Sequence, residues 1–165
     1  MKSKKLTLGL FIVYLAVLTW LIVFKMQFPG DAGLPHMRNV NLIPFGQSVI
    51  VNGRIDFGEI IQNALVFIPY GLLIGILWEE KSFPMKFLPV VLTSFIYECV
   101  QYIWAIGASD ITDLITNSLG GIIGIGMAYV LSLILRRKWK TLINAVCLIG
   151  LILLGILSVM LFLAN

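Results

Sequence analysis

The sequence predicts an all-α polytopic membrane protein with five transmembrane helices, folded as a single domain over residues 1–165. Apolar residues make up 59% of the 165 positions and charged residues only 12%, a balance that is typical of membrane proteins. Five stretches are apolar and long enough to cross about 30 Å of hydrocarbon at about 1.5 Å per residue. These predicted spans cover residues 6–24, 57–77, 87–106, 114–135 and 142–163.

The first and fifth stretches contain no charged residue, so each predicts a spanning helix directly. The first follows basic residues, as a secretory signal would. Its apolar run is longer than that of a usual signal and no A-x-A cleavage site follows it, which predicts an uncleaved span. The three middle stretches carry polar groups. In the second, Pro69 removes a backbone N–H and predicts a kink.

Glycines predict where helices approach one another closely. Gly71 and Gly75 in the second span, and Gly120 and Gly124 in the fourth, have G-x-x-x-G spacing. Without side chains at these positions, two helix backbones can come into direct contact. We therefore interpret these glycines as packing residues.

The distribution of basic residues predicts the orientation, because basic loops stay on the cytoplasmic side. With the amino terminus inside, nine Lys and Arg residues fall on the cytoplasmic side, and only Lys25, Arg38 and Arg54 fall outside. The predicted amino terminus is therefore in and the carboxyl terminus out, with a long outer-side loop between the first two helices. The net charge of +4 then reflects topology and attraction to anionic lipid, not binding to nucleic acid.

The outer loop contains a polar cluster, residues 36–41, that runs into an apolar one, residues 42–45. Such an order suits the membrane interface better than open water. We expect residues 42–45 to dip toward the bilayer or to cover the helices. The alternative is a mobile loop that happens to contain apolar residues.

A ten-residue polar pattern occurs twice, 54 positions apart. Residues 56–65 and 110–119 both match D-x-x-[DE]-[IL]-I-x-N-x-L, whose polar members share one helix face at i, i+3 and i+7. Its acidic residues are also typical of helix starts, where their oxygens accept hydrogen bonds from free backbone N–H groups. Its asparagines could simply bond to neighbouring helices. The sequence leaves open whether the pattern builds a site or only caps and connects helices.

Depth along the helices predicts a shared polar level toward the outer side. Gln101 lies about 9 Å and Glu98 about 13 Å below the outer end of the third span. Asn63 and Asn117 each lie about 10 Å below the start of their pattern. A carboxyl group at a helix centre costs roughly 2.5 to 3.5 kcal/mol, so Glu98 should face protein or water and needs a partner or a proton. We expect Arg38 as its ionic partner if the outer loop folds inward.

Common catalytic and metal motifs are missing from the sequence. The single histidine, His36, would have to complete a Ser-His-Asp arrangement from a loop. Two cysteines are too few for a zinc cluster, and the glycines of residues 120–126 lack the lysine of a phosphate-binding loop. Oxygen ligands could hold Mg²⁺ or Ca²⁺, but no specific pattern for either is present. We predict neither a metal nor a cofactor.

Four motifs in order along the chain resemble those of VanZ-like membrane proteins. They are R-x-x-N-L-I-P-F at 38–45, N-x-x-x-F-I-P-x-G at 63–71, E-x-x-Q at 98–101 and D-x-x-D-x-x-x-N-x-x-G at 110–120. The resemblance covers about residues 38–124. It implies a multi-pass protein of the bacterial cytoplasmic membrane that lowers susceptibility to teicoplanin-type glycopeptide antibiotics, which act outside the membrane on the D-Ala-D-Ala termini of cell-wall precursors.

Together, depth and resemblance predict one polar pocket that opens to the outer leaflet on the extracytoplasmic side. Its expected ligand is a membrane lipid headgroup, a lipid-linked cell-wall precursor or the lipoglycopeptide. The predicted ligand-binding residues are Arg38, Asn41, Asn63, Glu98, Gln101, Asp110, Asp113 and Asn117.

Two other functions compete with binding. An outer-leaflet hydrolase or transferase would act on a lipid or a lipid-linked substrate, with Glu98, Asp110 or Asp113 as its catalytic base. A transporter is less well supported, because the repeat is parallel rather than inverted and no polar file reaches the cytoplasmic side.

Overall fold

A computed structural model describes residues 2–23, 37–46, 50–51, 54–55 and 57–164 of the protein. Within these residues, five long helices pack into a bundle and four short strands pair in twos. Each helix is long and apolar enough to cross a membrane, which confirms the predicted fold class. The helices are α1 (Lys2–Val23), α2 (Phe57–Leu77), α3 (Phe83–Trp104), α4 (Ile111–Leu135) and α5 (Trp139–Ala164). The strands are β1 (Met37–Asn41), β2 (Ile50–Val51), β3 (Arg54–Ile55) and β4 (Ile106–Asp110).

Helices α3 and α4 both begin earlier than their apolar stretches predict. Ser82 precedes α3, and a proline follows in the first turn, where its missing N–H would have had no partner in any case. Asp110 caps α4, because its side chain accepts a hydrogen bond of 2.8 Å from the backbone N–H of Thr112. The interpretation of this acid as a helix-start residue is therefore confirmed for Asp110. Asp56, the matching acid of the first copy, lies outside the described residues.

Helix α3 ends at Trp104, two residues before the predicted end of the third span. Ala105 takes a left-handed conformation with φ 56°, and its N–H bonds to the carbonyls of Gln101 and Tyr102. The chain then leaves the helix and extends into β4. A left-handed residue is a common helix terminator, but alanine at that position gave no signal of it in the sequence.

Strand β1 of the outer loop pairs in parallel with β4, which joins α3 to α4. Arg38 lies opposite Gly107, and Asn41 lies opposite Asp110. Residues 37–41 of the predicted loop therefore lie against the bundle at this end, although the strands themselves were not predicted. We call this end the strand side. The opposite end, which holds the turns 78–82 and 136–138, we call the basic side, because most Lys and Arg residues of the described chain lie there.

Helices α2 and α4 pack backbone to backbone across their glycines. A Cβ at Gly120 would overlap the carbonyl oxygen of Ala64, and a Cβ at Gly124 would overlap that of Ile68. From the other helix, a Cβ at Gly71 would overlap the Gly121 carbonyl. The prediction that these glycines are packing residues is confirmed, and the contact aligns the two copies of the polar pattern side by side.

Polar bonds attach α1 to the rest of the bundle. The hydroxyl of Tyr14 donates to the carbonyl of Val66, at 2.5 Å, one turn before Pro69 on α2. The hydroxyl of Thr7 donates to Oδ1 of Asn144 on α5, at 3.0 Å and fully inside the bundle. Helix α2 continues through Pro69 to Leu77. The predicted kink at this proline stays a prediction.

Candidate functional site

A polar cavity of about 220 Å³ lies among α1, α2, α3 and α4. Its walls come from the last turns of α1 and α3 and from the first turns of α2 and α4, so it lies toward the strand side. On α2 the lining residues fall at i, i+3, i+4 and i+7, which is one face of a helix. The cavity is lined by Leu21, Ile22, Glu59, Gln62, Asn63, Val66, Gln101 and Asp113.

Asn63 and Asp113 meet across this cavity. Nδ2 of Asn63 donates a hydrogen bond of 2.7 Å to Oδ1 of Asp113. Asn63 is buried, so loss of this hydrogen bond would leave a buried amide without its acceptor, at a cost of about 1–3 kcal/mol. The asparagine of the first copy of the pattern is thus joined to the second acid of the other copy.

Gln101 presents an acceptor that the fold does not use. Its side chain is 2% exposed, and Nε2 donates a hydrogen bond of 3.0 Å to the carbonyl of Ile22. Oε1 accepts no hydrogen bond from any residue that the structure describes. A buried acceptor left in this state costs about 1–3 kcal/mol. The side chain of Gln101 lines the cavity, but Oε1 itself is enclosed by protein.

Glu98 lies one turn away from Gln101 and forms hydrogen bonds with a different group of residues. Its Oε2 accepts a hydrogen bond of 2.8 Å from the backbone N–H of Asp110, and its own carbonyl accepts one of 2.7 Å from the Ser109 hydroxyl. Asp110 in turn accepts a bond of 3.2 Å from Nδ2 of Asn41. We call Asn41, Glu98, Ser109 and Asp110 the strand clamp, because they tie β1, β4 and α3 to the start of α4.

Arg38 belongs to β1, but its side chain lies outside the part of the chain that the structure describes. The predicted ion pair between Arg38 and Glu98 therefore stays a prediction. What the structure adds is that one carboxylate oxygen of Glu98 bonds to a backbone N–H, a partner that side-chain reasoning alone could not identify.

A second, lateral cavity of about 180 Å³ lies on the other side of the strand clamp. Its walls are mainly apolar and include Leu42, Phe95, Tyr102 and Leu114. Phe95 and Leu42 are 53% and 74% exposed, so this cavity opens on the outer surface of the bundle.

The predicted pocket residues are thus divided between two neighbouring places. Asn63, Gln101 and Asp113 line the polar cavity, whereas Asn41, Glu98 and Asp110 form the strand clamp beside the lateral cavity. Residues three apart on a helix differ by about 60° in direction. The pair Glu98 and Gln101 therefore points to different sides of the α3–α4 contact.

Asn117 lines neither cavity. It is fully buried, and its Nδ2 donates a hydrogen bond of 3.0 Å to the Ser94 hydroxyl. This bond between α4 and α3 fits the interpretation of Asn117 as a connection between helices.

Sequence reasoning left Glu59 and Gln62 out of the predicted site, although both line the polar cavity. The signal was available, because both lie within one helical turn of Asn63 on the same face of α2. Among the residues that the structure describes, no group of three or more His, Cys, Asp or Glu side chains could hold a metal ion.

The sequence of this chain is similar to that of a known protein. It is 39% identical over 158 residues to Protein VanZ from Enterococcus faecium. The aligned region covers 95% of this chain and 93% of that relative. No solved structure matches this chain. The model of the VanZ/LLP1 family matches residues 11–136, a range that contains every predicted site residue. The chain belongs to the VanZ/LLP1 family.

Proposed function

We propose that the chain lowers the susceptibility of a bacterial cell to teicoplanin-type glycopeptide antibiotics, and that it does so by binding a polar group in the polar cavity. The family and the similarity to Protein VanZ support the first part. The observation that carries the second part is a cavity lined by Glu59, Gln62, Asn63, Gln101 and Asp113 within a bundle of spanning helices.

The lining residues of the cavity favour a ligand rich in hydrogen-bond donors. Acceptor oxygens come from the carboxyl groups of Glu59 and Asp113 and from the side-chain amides of Gln62 and Asn63, which line the cavity. Apolar walls such as Leu21 and Val66 lower the local dielectric, which strengthens each bond that forms. Sugar hydroxyls, peptide amides and the ammonium group of a lipid head all supply suitable donors.

The volume of the cavity favours a headgroup over a whole antibiotic. Pockets for drug-sized ligands typically measure about 300–1,000 Å³, and this cavity measures about 220 Å³. A lipid headgroup, or one sugar or peptide unit of a lipid-linked cell-wall precursor, fits that space better than an intact glycopeptide. With the basic side in the cytoplasm, the cavity faces the leaflet from which such precursors are used.

The alternative, an outer-leaflet hydrolase or transferase, has less support from the geometry. Glu98 and Asp110 both accept hydrogen bonds from backbone N–H groups, and Asp113 accepts one from Asn63. A catalytic base needs its lone pair directed at a substrate proton. A binding role does not require a lone pair directed at a substrate proton, so these hydrogen bonds are compatible with it.

The test replaces the cavity amides by a side chain of similar size that cannot hydrogen-bond. We expect Gln62→Leu and Gln101→Leu to reduce teicoplanin resistance, most strongly in combination, because each lost bond costs about 1 kcal/mol, or several-fold in affinity. Minimal inhibitory concentrations are measured in a susceptible Gram-positive host, with the membrane level of each variant checked by immunoblot.

Asn144→Leu is the matched control, since Asn144 is a buried amide that bonds to Thr7 and does not line the polar cavity. It should retain resistance if its level is normal. Full resistance in the double variant, at a normal membrane level, would rule out the polar cavity as the binding site. Binding of purified protein to phosphatidylethanolamine, to lipid-linked precursor and to teicoplanin then identifies the source of the bound group.

A further inference from the structure

The turn that follows β1 exposes several large apolar side chains in succession. Leu42 is 74% exposed, Ile43 is 69% exposed and Phe45 is 49% exposed. Apolar side chains scattered singly on a surface need no explanation, but a contiguous group of them indicates a contact surface. Pro44 between them is exposed as well.

The backbone of this turn is fixed by hydrogen bonds at both ends. Oδ1 of Asn41 accepts one of 3.1 Å from the N–H of Ile43, and the Ile43 carbonyl accepts one of 3.0 Å from the N–H of Gly46. The N–H of Phe45 donates one of 3.0 Å to the hydroxyl of Thr112 in the first turn of α4. The apolar side chains are therefore presented in a defined direction by a turn anchored to a spanning helix.

Phe45 occupies a conformation that does not suit it. Its φ is 54°, in the left-handed region, at the position after a proline where a type II turn favours glycine or asparagine. An aromatic residue there carries a conformational cost, and in water its half-exposed ring would add another. Burial of the ring in a surrounding apolar medium would offset both.

The turn lies at the level where helices meet the membrane surface. Thr112, its anchor, belongs to the first turn of α4, and α3 ends nearby with Tyr102 and Trp104, which are 44% and 59% exposed. Exposed tyrosine and tryptophan at helix ends are typical of the interface between hydrocarbon and headgroups. Leu42 also forms a wall of the lateral cavity, which makes the turn continuous with the lipid-facing surface of α3 and α4.

We propose that the turn formed by residues 42–45 inserts into the strand-side leaflet and anchors the outer loop in its lipids. The partner is lipid hydrocarbon just below the headgroups. Insertion holds β1 beside β4 at the membrane surface, so that the lateral cavity opens toward lipid rather than toward water. The inference concerns the membrane surface alone and holds whichever ligand occupies the polar cavity.

The test measures the depth of the turn with spin labels. Single cysteines, Leu42→Cys or Ile43→Cys, are introduced into a Cys99→Ser, Cys147→Ala background and labelled in bilayers of phosphatidylethanolamine and phosphatidylglycerol. Collisions with oxygen, which concentrates in hydrocarbon, are compared with collisions with a water-soluble nickel chelate. Lys138→Cys in the exposed turn before α5 is the aqueous reference, and Leu153→Cys, 60% exposed on α5, is the lipid reference.

We expect labels at Leu42 and Ile43 to collide with oxygen more often than the label at Lys138 but less often than the label at Leu153, which lies near the middle of α5. Their collisions with nickel should be several-fold fewer than those at Lys138. Nickel collisions equal to those at Lys138 would overturn the proposal, and so would labels shielded from both reagents, since they would be packed against protein. The two sites are tested in separate proteins, each required to elute as a single folded species, so one failed variant leaves the other decisive.

Discussion

Adding one methyl group at Gly120 or Gly124 is expected to remove most of the folded protein, whereas the same change at Gly126 is expected to be tolerated. The Cβ of Gly120→Ala would overlap the carbonyl oxygen of Ala64, and that of Gly124→Ala would overlap the carbonyl of Ile68. Overpacking costs about 1–3 kcal/mol where side chains can move aside. Here the overlapping atoms belong to the backbone of α2, which cannot move aside as a side chain can. The loss of stability should therefore reach or exceed about 3 kcal/mol.

Gly126 is a control on the same helix, because a Cβ there would meet nothing within 4 Å among the described residues. Thermal melting followed by fluorescence-detected size exclusion provides the measurement, with membrane levels as a second readout. If Gly120→Ala and Gly126→Ala melt at the same temperature, the close approach of α2 and α4 is wrong. The polar cavity depends on that approach, since it brings Asn63 to Asp113.

Replacing Glu98 is expected to have opposite results depending on what replaces it. Glu98→Ala leaves the buried backbone N–H of Asp110 without its acceptor, at a cost of about 1–3 kcal/mol. The strand clamp should loosen, α4 should lose its fixed start, and resistance should fall together with thermal stability. Glu98→Gln keeps an oxygen in nearly the same place, so it should retain most of both.

The same pair of variants separates a positioning role for Glu98 from catalysis. A general base loses its function when its carboxylate becomes an amide. If Glu98→Gln melts like the wild type but confers no resistance, that result would support the enzyme alternative. Lipid and cell-wall precursor composition should then also differ between the wild-type strain and the Glu98→Gln strain. Unchanged composition together with retained resistance would leave Glu98 as a residue that positions the fold.

The helices, and the glycines at which they pack closely, could be predicted from local sequence. The spans follow from hydrophobic runs, since crossing the bilayer sets the length and polarity of each segment. Close packing at the glycines follows from their spacing, because only the missing side chains matter there, whereas the pairing of α2 with α4 is seen only in the structure. Span length and glycine spacing are properties of a single segment, so they can be predicted without knowing which helices surround it.

Which residues share a site could be predicted only in part. Asn63 and Asp113 were both predicted for one pocket, and they do meet, although the depth estimate put Asp113 above the level of the amides. Glu59 and Gln62 were missed although their spacing from Asn63 was visible, because only the packing of α1, α3 and α4 against that face shows that it borders a cavity. The separation of Glu98 from Gln101 depends on how α3 is rotated against α4, which hydropathy cannot specify when both faces carry polar groups.

The sequence by itself determined that this protein crosses the membrane five times and that its polar residues gather toward one end, because the cost of placing polar groups in hydrocarbon acts on each segment separately. Only the tertiary structure decided that β1 pairs with β4, that Glu98 bonds to a backbone N–H and that two cavities flank the strand clamp. These features join residues far apart in the chain, and most of the hydrogen bonds that hold them involve backbone groups, which are the same in every sequence.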